Sequence, residues 1–307
     1  MKKRLFNYLA LAFALTWIPV FVLLAMGYPY SSIAFFVCLF CVMLMPALSS
    51  ILTRLVTKEG FKDLMLRPKF RGHLRYYLAG WLLPGVLILA AAALYFAVFP
   101  RTFDSSLSVL KMVFIKQLAT RSIGTIILMQ MALGWLAAPF INFIPALGEE
   151  LGWRGYMLPK LCALLGTKKA IPVSGIIWGL WHAPMIAAGH NYGTGYWGWP
   201  VTGILAMVVF SMAYGSFLAW LTLRSGSALP AALAHGGLNG FASIGVYFCR
   251  GGAYSPFVGP VATGIVGGAP VLVAGYLFWR RSRSLSFAPA GESGSVSEDA
   301  GEDPDVE

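Results

Sequence analysis

Glu149 and Glu150 are the only carboxylates between Asp104 and Glu292, and they stand side by side. Their surroundings are Leu, Ile, Ala, Gly, Phe and Trp, and Arg154 follows four residues after Glu150. Charge in such a setting is costly, so an ionisable residue there points to a functional site. On a helix Glu150 and Arg154 are i,i+4 neighbours and pair on one face. Taken alone, that pair reads as structural, because buried ion pairs are weak evidence of stabilisation. Glu149 is turned about a hundred degrees away on the helix. Its chemical uses are those of a general base or of a metal ligand.

Two further apolar segments each supply a histidine. His182 ends the stretch Trp178-Gly179-Leu180-Trp181, and His235 opens His235-Gly236-Gly237-Leu238-Asn239. A lone histidine in an apolar helix is often a packing residue. The i,i+4 spacing of His235 and Asn239 puts an imidazole and an amide on one face. The amide is a weak metal ligand and a good donor to a developing oxyanion. These groups lie on three segments, so they meet only if the helices pack closely. Gly175, Gly179, Gly236, Gly237 and Gly240 supply the small surfaces for that approach. A His, His, Glu set with a water suits zinc, with Glu149, His182 and His235 as ligands. The same set without metal activates water through Glu149 and His182. The residues leave both routes open.

The elements that must position these groups are membrane helices. Of 307 residues 58% are hydrophobic and only 11% are charged, against about 25% charged in soluble domains. Apolar runs near 20 residues predict spans at about 6–27, 32–54, 76–99, 122–147, 170–188, 201–223, 228–248 and 258–279. The expected fold is therefore an all-α, polytopic integral membrane protein of about eight transmembrane helices around a buried active-site cavity. The first run is long for a signal peptide and shows no small-x-small site before Tyr28, so it reads as a retained span. Pro139 and Pro145 interrupt the fourth. Either one kinked helix leads into Glu149, or a short helix precedes a separate one over about 140–165.

Eight crossings place Lys and Arg seventeen to five between the two sides, which assigns both termini to the cytoplasm. Basic residues clustered between spans point to membrane topology and not to a nucleic-acid site, and they fit anionic lipid headgroups as partners. Cys38, Cys41, Cys162 and Cys249 all lie in apolar stretches and read as packing residues. Residues 189–199 form a Gly- and aromatic-rich outer loop, an interfacial belt or a lid. Four regions follow: 1–121 with the N-terminal helices and a basic loop, a core at 122–250, a last helix within 251–283, and a disordered acidic tail at 284–307.

Glu149-Glu150-x-x-x-Arg154, then Trp178-x-x-x-His182, then His235-x-x-x-Asn239, each in a successive apolar segment, resembles the CAAX prenyl protease and bacteriocin-processing (CPBP, ABI-type) family of intramembrane proteases. The likeness covers roughly residues 125–250. By resemblance Glu149 is the water-activating glutamate and His182 its partner. His235 and Asn239 hold the oxyanion or help bind metal, and Glu150 with Arg154 supports them. The family's second motif usually opens on Phe, where this chain has Trp178. The resemblance implies hydrolysis of membrane-associated peptides or proteins near the cytoplasmic side, and the short polar segments and compact length point to a bacterial cell membrane. The competing readings are a transporter, for which no second copy of the glutamate motif is found, and a non-catalytic scaffold or immunity protein.

Overall fold

A computed structural model describes residues 1–251 and 254–285; most of the expected acidic tail lies outside the described residues. The fold is helical, and the one β feature among the described residues is an isolated bridge between Phe103 and Cys249. In chain order the helices are α1 (Lys2–Ala25), α2 (Ile33–Val42), α3 (Met45–Val56), α4 (Leu74–Val98), α5 (Ser108–Val113), α6 (Ile115–Leu118) and α7 (Ile123–Met131). A π-turn over Ala132–Ala137 joins α7 to α8 (Ala138–Ile141). A second, over Trp153–Met157, joins α9 (Phe143–Gly152) to α10 (Leu158–Leu165). There follow α11 (Thr167–Trp181), α12 (Ala183–Ala187), α13 (Val201–Ser225), α14 (Leu229–Phe241) and α15 (Ala269–Ser282).

Local chemistry sets several of these boundaries. Ser32 and Ser122 cap α2 and α7 by accepting hydrogen bonds from the Phe35 and Thr125 amides. Gly226 closes α13 in the left-handed conformation at φ +62°. The chain breaks at Asn142, so the glutamates sit on a helix separate from α7–α8, the second of the two expected arrangements. Pro184 starts α12 and ends α11 at His182. The run at 258–279 is helical only from Ala269. Before it, Gly259 (φ +118°) and Gly264 close on each other so tightly that a Cβ on Gly264 would lie 2.5 Å from the Gly259 backbone.

Among the described residues four helices are long and apolar enough to cross a membrane: Lys2–Ala25, Leu74–Val98, Ile123–Ile141 and Val201–Ser225. The α2–α3 pair, bent by 43°, makes a fifth if counted as one span. The expected number was eight. The shortfall lies in segments whose helices are broken or carry charge: α9–α10 with its two glutamates, Arg154 and Lys160, the interrupted α11–α12, and the shorter α14 and α15.

Side-chain and backbone contacts gather the connecting segments at two opposite ends of the bundle. At one end Glu59 receives Lys160, Tyr156 and Arg4, and Arg54 pairs with Asp63. Ser227 and Ala228 bond to Met65, Trp279 donates to the Lys168 carbonyl, and Thr167 donates to that of Leu285. Burial alone would raise the Glu59 carboxyl, but hydrogen bonds from Lys160 and Tyr156 and the nearby cations hold it below its ordinary range. At the other end Tyr30 meets His190, Tyr192 donates to the Thr263 carbonyl, and Phe114 packs on Tyr247. Asp104 clasps its loop there by accepting from Ser106 and Ser108, which lowers its carboxyl pKa.

The core is centred on α13, whose buried positions run from Gly203 to Ser225. Two glycines let neighbours reach its backbone: a Cβ on Gly175 of α11 or on Gly275 of α15 would lie 2.5 Å from the Cα of Met212 or Ala213. Gly175→Ala is therefore expected to push α11, which carries Trp178 and His182, away from α13. A loss of about 1–3 kcal/mol is expected, read as a lowered thermal midpoint in detergent; an unchanged midpoint would mean that the contact is soft.

Candidate active site

Glu149 and Glu150 lie in the last turn of α9, just before the π-turn that carries Arg154. Inserted π-turns are rare and concentrate at functional sites. Glu150 is fully buried, and its Oε1 accepts from Arg154 Nη1 at 3.1 Å and from His235 Nδ1 at 2.8 Å. The i,i+4 pair is thus present, and it reaches across to α14. Glu149, 3% exposed, points elsewhere and accepts a 2.9 Å hydrogen bond from the Trp178 indole.

Trp178 organises the site. Its ring lies edge-on to both His182 and His235, with centroids 5.7 and 5.4 Å away. The Arg154 guanidinium sits over it at 4.3 Å, a cation–π contact. Its backbone carbonyl is 2.8 Å from His182 Nδ1. A carbonyl only accepts, so that nitrogen carries a proton and Nε2 of the neutral ring is a base. By the same logic the Glu150 carboxylate fixes a proton on Nδ1 of His235 and leaves its Nε2 for other partners.

Glu149, His182, His235 and Asn239 line one cavity of about 470 Å³ together with Trp178 and Trp181. The structure brings these four candidate residues to one space, while Glu150 and Arg154 lie behind it. Asn239 is exposed and also lines a second, neighbouring cavity, unlike the buried His235 one turn earlier. Sequence reasoning missed two contributors. Trp178 was read as a motif aromatic, and its indole N–H faces the glutamate. His190 also lines the cavity, its ring parallel to that of His182 at 6.4 Å and its Nδ1 2.7 Å from the Tyr30 hydroxyl. The sequence signal for it was one histidine inside the Gly- and aromatic-rich loop.

The zinc set of Glu149, His182 and His235 meets a geometric difficulty. Among the described residues no three His, Cys, Asp or Glu side chains converge as a metal site. The Glu149 carboxylate is turned to the indole, and the side chains as placed do not fit a three-ligand zinc centre.

Trp178→Phe keeps the aromatic wall and removes the donor that orients Glu149. A charge-assisted hydrogen bond of this kind is worth about 1.5 kcal/mol or more, so turnover is expected to fall roughly tenfold. Peptide cleavage by the purified variant checks this, and full activity would show that the indole N–H is dispensable.

Residues 130–241 match the family model described as Type II CAAX prenyl endopeptidase Rce1-like. A stretch of 86 residues is 30% identical to CAAX prenyl protease 2 of Methanococcus maripaludis. That stretch is 28% of this chain and covers 32% of the relative, so the likeness spans about a third of the relative's length. The segment that resembles the family model, residues 130–241, contains Glu149, Glu150, Arg154, Trp178, His182, His190, His235 and Asn239.

Proposed function

We propose, from a core supported as that of a CPBP-family membrane protein, that this chain is an endopeptidase acting on membrane-associated peptides or proteins through water activated at Glu149. The observation that carries this reading is the shared cavity: a carboxylate, two imidazoles and an amide, drawn from three helices, face one space inside an apolar bundle. A scaffold has no use for such costly groups, and a transport relay would need a polar path onward through the bundle.

In this reading a water molecule binds between Glu149 and His182. Glu149 takes its proton as the oxygen attacks the scissile carbonyl carbon, and the carbonyl oxygen becomes an oxyanion. The Asn239 amide donates to that oxyanion, and so does His235 Nε2 when the ring is doubly protonated against Glu150. Collapse breaks the C–N bond, and the proton held by Glu149 passes to the leaving amine. His182, neutral with its Nδ1 proton on the Trp178 carbonyl, accepts from the water and fixes its orientation.

We assign the catalytic core to residues 122–250 and the protein to a bacterial cell membrane, with the broken and shorter helices completing about eight crossings beside the long ones. Metal content and cleavage of a membrane-anchored reporter peptide, before and after chelation, test the mechanism in wild type and His235→Ala. Chelator-resistant cleavage that still needs Glu149 supports the metal-free route. About one zinc per chain, lost in the variant together with activity, would replace it with a metalloprotease.

A further inference from the structure

We infer that the active-site cavity opens on the membrane face opposite the basic loops, so that its substrates are apolar peptide segments at the outer face and not cytoplasmic ones. The word substrate rests on the protease reading above; the side rests on packing and charge alone.

The two ends of the bundle differ sharply in charge. The end built by residues 54–75, 160–169, 224 and 280–283, together with the N-terminus, holds seventeen Lys and Arg. The other end holds Arg101, Lys111, Lys116, Arg121 and Arg250. Contacts within the fold place these groups at opposite ends: Arg4, Glu59 and Lys160 meet at the first, while Tyr30 with His190 and Tyr192 with Thr263 meet at the second. The bias in Lys and Arg puts the first end in the cytoplasm.

The cavity belongs to the second end. Its lining includes His190, Asn191, Tyr254 and Thr263, all from segments of that end. Among the described residues none of its lining comes from 54–77, 160–169, 224–229 or 279–285. Glu149 marks its floor. Lys160 lies eleven residues further along the same helical run, about 16 Å nearer the basic end at 1.5 Å per residue. The two sequence expectations, a cytoplasmic basic end and cleavage near the cytoplasmic side, therefore do not hold together. We keep the first, on seventeen charges against five, and propose the outer face in place of the second.

The walls narrow the substrate class. Leu39, Val42, Met185, Met207 and Phe210 face the cavity, and among the described residues Glu149 is its only carboxylate. Such walls accept apolar side chains on either side of the scissile bond, and no lysine or arginine is there to hold an acidic one. An extended apolar segment reaching down from the outer interface fits this space.

Single cysteines in a chain with Cys38, Cys41, Cys162 and Cys249 changed to Ser test the side. Gly195→Cys lies at the cavity end, where a Cβ meets nothing within 4 Å, and Lys169→Cys lies exposed at the basic end. In intact cells a membrane-impermeant maleimide is expected to label Gly195→Cys, and Lys169→Cys only after permeabilisation. The reverse pattern would overturn the inference. Should the Cys-free chain fail to insert, the same two changes in the native background, with labelled sites read by mass spectrometry, give the same comparison. A second readout uses an apolar reporter peptide anchored on either face. Cleavage at the outer face, lost in Glu149→Gln, supports both readings, and cleavage only at the inner face overturns the side. The expected labelling without cleavage at either face keeps the side and removes the endopeptidase.

Discussion

Glu149→Gln is expected to lower peptide hydrolysis by about 10³-fold or more while leaving membrane insertion and fold intact. The substitution preserves shape, and the Gln carbonyl still accepts from the Trp178 indole, which now sits 2.9 Å from the carboxylate. What disappears is the base: an amide takes no proton from water, and positioned acid–base groups contribute roughly 10²–10⁴-fold. Stability should move the other way. Glu149 is 3% exposed and its one side-chain partner is a neutral indole, and burying such a charge is costly. The variant is therefore expected to unfold at an equal or higher temperature, the signature of a residue kept for chemistry at the expense of stability. Turnover of a reporter peptide and thermal unfolding in detergent, measured on one preparation, separate the two effects. Activity within tenfold of wild type would sink the role given to Glu149. Parallel loss of activity and stability would make it a structural residue.

Residue chemistry made the site legible more readily than the architecture. Glu149, His182, His235 and Asn239 stood out because polar groups in apolar helices are costly and few, and all four line one cavity. The pairing of Glu150 with Arg154 followed from helical spacing. The bond to His235 did not, since it joins α9 to α14 across 85 residues. Trp178 shows a similar limit: a motif specifies an aromatic ring, and only packing decides that its N–H meets the carboxylate. Span boundaries were hard to read for a different reason. Helices apolar all round carry no periodic signal, so an apolar run such as 258–268 looked like helix although its glycines fold it into turns. The direction in which the cavity opens depends on contacts between distant loops, such as Tyr192 on Thr263. Charge counting alone fixes which end is basic, without saying which end holds the site.

Arg154→Ala should be the most damaging substitution for the fold, at about 3–5 kcal/mol, the usual cost of stranding one member of a buried ion pair. Glu150 is fully buried and Arg154 is 1% exposed. The carboxylate Oε1 serves both Arg154 and His235, whereas Glu150 Oε2 and Arg154 Nε and Nη2 find no protein partner. The guanidinium also covers the Trp178 ring, and Gly215 leaves room for it: a Cβ there would stand 3.0 Å from Nη2. Removing Arg154 thus takes away a charge partner, a stacking surface and side-chain volume together. Arg154→Lys restores charge without the planar fork and is expected to recover only part of the loss. Arg154→Met with Glu150→Gln should recover more. It removes both charges and fills the space, and the Gln carbonyl still accepts from His235. Activity in that double variant then reports on His235. If the Glu150 carboxylate is what keeps the imidazole protonated as an oxyanion donor, the fold returns and turnover stays low. If the carboxylate only orients the ring, turnover returns with the fold. Thermal midpoints and turnover across the three variants decide between these roles, and a midpoint for Arg154→Ala close to wild type would refute the buried-pair argument itself.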